Sequence, residues 1–344
     1  MILFDKDYFK KISEEVFKTD SPTGYTTNVI NLVKRYIDSY GYESKILNSG
    51  ALEVSIKGED SSKLVATSAH CDTLGLMVRS IKSNGKLALT PLGGPSTPTL
   101  DGEYCTIHTR EGKKYTGTIL STSPAVHVFK DANTKSREID ELEIRLDEEV
   151  FSKEDVEKLG IQNGDIVSYD TKFIITDTGF LKSRFVDDKA SVVILLMLLK
   201  YTSDHNIKFK HDTKIYFIVY EEVGHGASII DKNISEFVTL DMGTIGLDLA
   251  GNEYAVSICA KDSGGPYDYE LTTKLIQMAK ENNLSFTVDI FPFYGSDVGA
   301  ARRAGIDFKG ALIGSGVSAS HGMERTHIKG VENTLKLIYA YLVK

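Results

Sequence analysis

Residues 188–201 read DKASVVILLMLLKY, and residues 214–220 read KIYFIVY. The first run is apolar on every side and long enough for about four helical turns, the pattern of a helix buried all round. The second is shorter, rich in β-branched and aromatic residues, and stops at Glu221-Glu222, the pattern of a buried strand. A buried helix followed by a buried strand is the unit of a parallel sheet covered on its faces. The alternation continues downstream, with strands at 237–241, 287–291 and 309–314 and helices at 266–283, 297–304 and 331–343. Upstream, amphipathic helices are expected at 5–18 and 26–39, parted by the turn Ser21-Pro22-Thr23-Gly24, with strands at 51–57 and 64–69. The expected fold class is α/β, a mixed, largely parallel sheet flanked by helices.

Between about Thr73 and Thr178 the texture changes. Short strand-like runs are punctuated by Ser83-Asn84-Gly85, Arg110-Glu111-Gly112 and Asn163-Gly164-Asp165, with one modest helix near 152–159. Such spacing predicts a small β-barrel-like or sandwich domain. Residues 1–72 and 179–344 are therefore read as one α/β domain interrupted by an inserted β domain at 73–178. An independent domain spanning 1–180 is the alternative; the insertion is preferred because residues 51–72 cannot bury a sheet alone.

The 344 residues are 41% hydrophobic and 26% charged, with net charge -8 and pI near 5.6. An acidic chain of this kind argues against a nucleic-acid binder. Without an apolar run of ~18 residues, no membrane span is expected. Cys71, Cys105 and Cys259 are scattered and odd in number, which suits a reducing cytoplasm, and MILFDKDYFKKISEEVF lacks a signal-peptide core. A cytoplasmic protein is expected.

Acids and histidines fall at the ends of apolar strands: His70-Cys71-Asp72, Asp187-Asp188, Glu221-Glu222, Asp241 and Ser320-His321-Gly322. In an open α/β sheet the ligand site lies outside the carboxyl ends of the strands, so five distant segments would converge on one rim. Each has an ordinary alternative. Asp188 and Asp297 could cap helices, Asp241 could form a turn, and His70, His321 and His327 could be rim or surface histidines. Together they form a set of imidazole and carboxylate donors without thiolate, which suits zinc, cobalt or manganese. In His-x-Asp, strand geometry would place Asp72 on the same face as His70, to hold its second nitrogen. Glu221 and Glu222, adjacent on a regular strand, would face opposite ways unless the chain leaves the ladder, for which Gly224 and Gly226 supply freedom.

The motifs HCDTLGLMV, VDDKA, YEEVGHGA, LDMG, GSD and SHGMERT resemble, in order and spacing, the glutamyl aminopeptidase-like family of co-catalytic metallopeptidases, which includes the tetrahedral and deblocking aminopeptidases. The resemblance covers essentially the whole chain. It implies the metallo-aminopeptidase fold, two divalent metal ions per chain, and peptide substrates shortened from their amino ends. It implies metal ligands at His70, Asp187, Glu222, Asp241 and His321, with Asp187 bridging and Asp72 orienting His70. Glu221 would be the general base. It further implies a homo-oligomer, with a dodecamer among the possible assemblies and the β insertion serving oligomerisation or substrate access. His321 is taken over His327 because it directly follows a strand-like run, with Glu324 placed to help position it. Where the family commonly carries Arg or Asn after the paired aspartates, this chain has Lys189.

Asp297 is a candidate for the substrate rim near the free amine, and His225 is read as a loop residue rather than a ligand. Two other enzyme readings remain: hydrolysis of N-acyl amino acids or other small amides, and glycoside hydrolysis, which would leave the histidines idle. A metal-stabilised assembly protein is the non-catalytic alternative.

Overall fold

The structure, a computed structural model, describes residues 2–343. Helices α1 (Lys6–Lys18) and α2 (Thr27–Ser39) open it. Asp5 caps α1 by accepting from the Asp7 and Tyr8 amides, which is why that helix starts where the sequence puts it. Strands β1 (Ser44–Ile46), β2 (Leu52–Ile56) and β3 (Asp60–His70) follow. β3 begins earlier than the apolar pattern indicates because its first residues are exposed and polar.

Residues 73–171 form a compact unit of their own. Its strands β4 (Gly75–Ile81), β5 (Leu87–Leu92), β6 (Tyr104–His108), β7 (Lys114–Ser121), β8 (Leu142–Leu146) and β9 (Ile166–Tyr169) close into a barrel in the order β4-β5-β8-β7-β6-β9. Closure leaves no free edge. Helix α3 (Lys153–Leu159) starts at a capping box made by Ser152 and Asp155 and stops at Gly160 in the left-handed conformation.

From Lys172 the chain belongs again to the first unit. This is earlier than residue 179, because β10 (Ile174–Ile175) pairs with β11 (Phe180–Ser183), and β11 pairs with β19 (Glu324–His327). Then come α4 (Val186–Asp204), β12 (His211–Ile218), β13 (Glu236–Leu240), β14 (Gly243–Thr244), β15 (Val256–Asp262) and β16 (Gly265–Pro266). They are followed by α5 (Tyr269–Glu281), β17 (Phe286–Ile290), α6 (Asp297–Arg303), β18 (Lys309–Val317) and α7 (Ile328–Val343). The sheet runs β1-β2-β12-β3-β13-β18-β15-β16, with β17 beside β15. Its centre, β12-β3-β13-β18, is parallel. β15, which the pattern left unassigned, lies antiparallel to β18; its first four residues are all buried, so no alternation marks it.

Alternation along β12 shows how the sheet is covered. Ile215 and Phe217 enter the core shared with α1, α2, α4, α5 and α7, whereas Tyr216 and Ile218 enter the core under α6 and residues 226–234. α4 is apolar all round because it packs against α1, α2, α7 and β3 at once. The four parallel strands end at one rim: His70 closes β3, Glu221 follows β12, Asp241 follows β13, and His321 lies beyond β18.

Candidate metal centre

β12 ends at Ile218, before the two glutamates. Tyr220 takes the left-handed conformation (φ 70°), and Glu221–Val223 form one 3-10 turn that ends at left-handed Gly224. Leaving the ladder lets both carboxylates serve one rim. The Asp72 carboxylate stabilises the turn, accepting from Glu221 N at 3.1 Å through Oδ1 and from Glu222 N at 3.3 Å through Oδ2. Those amides head a turn that offers them no internal partner.

Asp72 thus differs from the sequence expectation. The group on His70 Nδ1 is the Asp72 main-chain carbonyl, at 2.8 Å, while Oδ1 is 3.7 Å away. The same-face rule holds only within a strand, and β3 ends at His70.

Asp187 has one oxygen toward each histidine, Oδ1 at 3.1 Å from His70 Nε2 and Oδ2 at 3.5 Å from His321 Nε2. Although burial would raise its pKa, the two imidazoles outweigh that and hold it well below the usual carboxylate range. Glu324, with no role in the sequence reading beyond helping His321, joins two strand-end loops: Oε2 accepts from Asp187 N at 3.0 Å and Oε1 from His321 N at 2.9 Å. Asp188 is fully buried and accepts from His70 N at 3.2 Å, so it supports the histidine rather than simply capping α4. Asp241 can approach because β18 carries Gly314 beside it, where a Cβ would stand 1.7 Å from the Asp241 carbonyl.

Glu222 Oε2 lies 3.9 Å from His321 Nε2, and Glu221 Oε2 lies 3.8 Å from His70 Nε2. Potential ligand atoms of His70, Asp187 and Glu222 lie within 4.8 Å of one another, as do those of His70, Glu221 and Asp241, and those of Asp187, Asp188 and Asp241. His327 lies elsewhere, with Nε2 donating to Thr178 O at 2.9 Å and Nδ1 accepting from Lys329 N at 3.1 Å. His225 stacks on Tyr220.

Asp297 is not on the rim. It is 2% exposed, and its carboxylate accepts from Ala227 N at 3.0 Å and Ser68 Oγ at 3.4 Å. It holds the short helical turn after His225 from beneath, and Ser296 occupies the N-cap of α6. Lys189 donates to Thr19 O and Phe17 O at 2.6 and 3.3 Å, and burial lowers its pKa to about 8.

The donor set fits a cation. Since Nδ1–H of His70 donates to a carbonyl, a neutral His70 presents a bare lone pair on Nε2 to two carboxylate oxygens. Glu222 Oε1 is buried and makes no hydrogen bond among the described residues. Acceptors facing acceptors repel unless positive charge lies between them. Protons answer the same demand: burial would lower the His70 pKa, yet Asp187 and Glu221 lift it well above the usual histidine value, and burial pushes Glu222, Asp188 and Asp241 far up.

A chelated protein should therefore lose stability as pH rises. Burial lifts the carboxyls of Asp297 and Glu324 to about 7 and about 8. The folded state then holds more protons than the unfolded chain, so stability falls from the unfolded carboxyl range, ~4, through those values. The melting temperature after EDTA treatment should fall between about pH 5 and 8, and the gain on restoring a divalent cation should be largest near pH 8. A flat profile in calorimetry would contradict this.

An open cavity of about 250 Å³ lies over the cluster, lined by Asp187, Glu221, Glu222, Asp241 and His321 with Phe293, Tyr294 and Arg303. A largely parallel sheet carrying imidazoles and carboxylates at its strand ends defines an α/β fold with a candidate metal centre at its rim. The model of the M42 glutamyl aminopeptidase family matches residues 50–337, and the chain belongs to that family; it is a metal-dependent aminopeptidase, a hydrolase of peptide bonds. The chain is 42% identical over 333 residues, 96% of each chain, to the putative aminopeptidase YhfE of Bacillus subtilis. The fold matches the TET aminopeptidase of the marine sediment archaeon Thaumarchaeota archaeon SCGC AB-539-E09 (TM-score 0.88, 20% identity, covering 98% of this chain and 96% of that one). It also matches the Pyrococcus horikoshii TET1 peptidase, which can assemble into a tetrahedron or a large octahedral shell (TM-score 0.86, 23% identity, covering 98% and 99%).

Proposed function

We propose that the cluster holds two divalent cations, zinc or cobalt with manganese as a further candidate, and removes residues from the free amino end of peptides. The observation that carries this reading is the convergence of imidazole and carboxylate atoms around Asp187, whose two oxygens face His70 and His321 separately. Asp187 would serve both ions, His70 and Asp241 would complete one site, and Glu222 and His321 the other. Bound cations would polarise the scissile carbonyl and ease deprotonation of water.

The remaining work falls to the chain. Both glutamates line the cavity, and the Glu221 side chain is the more exposed, 15% against 4% for Glu222. The Glu221 carboxylate would take a proton from the attacking water and deliver it to the leaving amine nitrogen. Asp72 would fix the turn bearing both glutamates. The carboxylate-rich floor would attract a substrate ammonium group.

The test is a panel of aminoacyl chromogenic amides beside their N-acetylated counterparts, with the metal-loaded protein. Free-amine substrates should be cleaved and acetylated ones spared. Cleavage of only the blocked substrates would replace this reading with an N-acyl amidohydrolase.

The same reading places the protein in the cytoplasm as a homo-oligomer, with a dodecamer as the assembly to test and the barrel unit serving oligomerisation or substrate access. Support comes from the shells formed by the P. horikoshii peptidase, whose fold it shares. Sedimentation at monomer mass would refute the assembly.

A further inference from the structure

Ser21-Pro22-Thr23-Gly24 links α1 to α2, yet Thr23 is 5% exposed and its hydroxyl donates to Asp72 Oδ2 at 2.8 Å. That carboxylate is the one accepting the Glu221 and Glu222 amides. One carboxylate thus fixes the backbone of both glutamates, and one hydroxyl fixes its rotation. Removing the hydroxyl would leave Oδ2 with the 3.3 Å contact to Glu222 N. Carboxylate torsions are broad, so the plane of Asp72 would then turn more freely.

The link is itself pinned. Tyr25 N donates to Pro22 O at 2.7 Å, and Gly24 supplies a left-handed residue at φ +86°. Lys189, two positions after Asp187 and 1% exposed, donates to Thr19 O and Phe17 O. The α1–α2 link is therefore tied both to the segment bearing Asp187 and to the carboxylate that organises Glu221 and Glu222. Thr23 is set in a rigid frame, so its hydroxyl has a defined aim.

We propose that Thr23 is a positioning residue of the peptidase reaction: through Asp72, its hydroxyl sets the placement of Glu221 relative to Glu222. The inference rests on the proposed division of labour between those two glutamates. Moving that turn by a fraction of an ångström would disturb proton delivery and loosen the cation held by Glu222, while the substrate's other contacts stay in place.

Thr23→Val keeps the shape and removes the hydroxyl, and Thr23→Ser keeps the hydroxyl and removes the methyl. Outer partners of this kind are worth about 10- to 100-fold in activity or metal affinity. Thr23→Val should lower kcat by about tenfold with KM within about twofold, and should release zinc to a competing chelator several-fold more readily. Thr23→Ser should restore both toward wild type. Wild-type kcat and zinc retention in Thr23→Val would overturn the proposal. So would a Thr23→Ser variant as impaired as Thr23→Val, which would make the methyl, and hence packing, the relevant group. Failure of the wild type to cleave any free-amine substrate would instead overturn the functional reading, and zinc retention would still report on Thr23.

Discussion

Glu221→Gln is expected to lower kcat by about 10²–10⁴-fold, the usual weight of a positioned general base, while the protein keeps its full complement of metal. The amide has nearly the shape of the carboxylate but cannot take a proton at neutral pH. The Glu221 amide would still donate to Asp72, because that contact is made by the main chain. The turn should survive, and with it Glu222. KM should change little, since the substitution removes proton transfer rather than substrate contacts. Metal content by atomic absorption, read beside kcat, makes the test decisive. Loss of metal would show that Glu221 is a ligand, and retention of most activity would move the base elsewhere.

Asp187→Ala should have the opposite signature: loss of both cations and, through that, of activity. Among the described residues, Asp187 alone has one oxygen 3.1 Å from His70 Nε2 and the other 3.5 Å from His321 Nε2. Glu222→Ala, which removes the carboxylate 3.9 Å from His321 Nε2 but leaves Asp187 in place, should lose one cation and retain the other. The alanine at 187 would leave His70 and the buried Asp188, Asp241 and Glu222 around a gap, without the group that is most readily ionised among them. Metal stoichiometry of the two variants separates the cases. Equal losses in both would refute a shared ligand at 187.

Much of this arrangement was legible in one dimension. Helix and strand periods marked the elements of the α/β unit, because burial on two faces leaves runs of apolar residues that need no partner to be recognised. β15 escaped because Ser257, Lys261 and Asp262 interrupt its apolar run, although its first four residues are buried. The boundary of the barrel unit was drawn late because β10 pairs only with β11, which in turn meets β19 far along the chain. Asp297 was misplaced for a similar reason. A carboxylate at the head of α6 can face a rim or a neighbouring turn, and only packing against residues 226–229 turns it inward.

The sequence alone determined which strand ends carry the clustered imidazoles and carboxylates, since a carboxylate after an apolar run is costly without a counter-charge. Gly224 and Gly226 allowed the strand before Glu221 to end there, while the separate roles of Glu221 and Glu222 came only from the family resemblance. What only the tertiary structure decided was which atom meets which. The Asp72 carbonyl, not its carboxylate, holds His70; His321, not His327, joins Asp187; and Thr23 and Glu324 complete the support. The reason is that hydrogen-bond partners separated by up to 229 residues are chosen by how strands pair and where each one stops, and no local pattern encodes those distances.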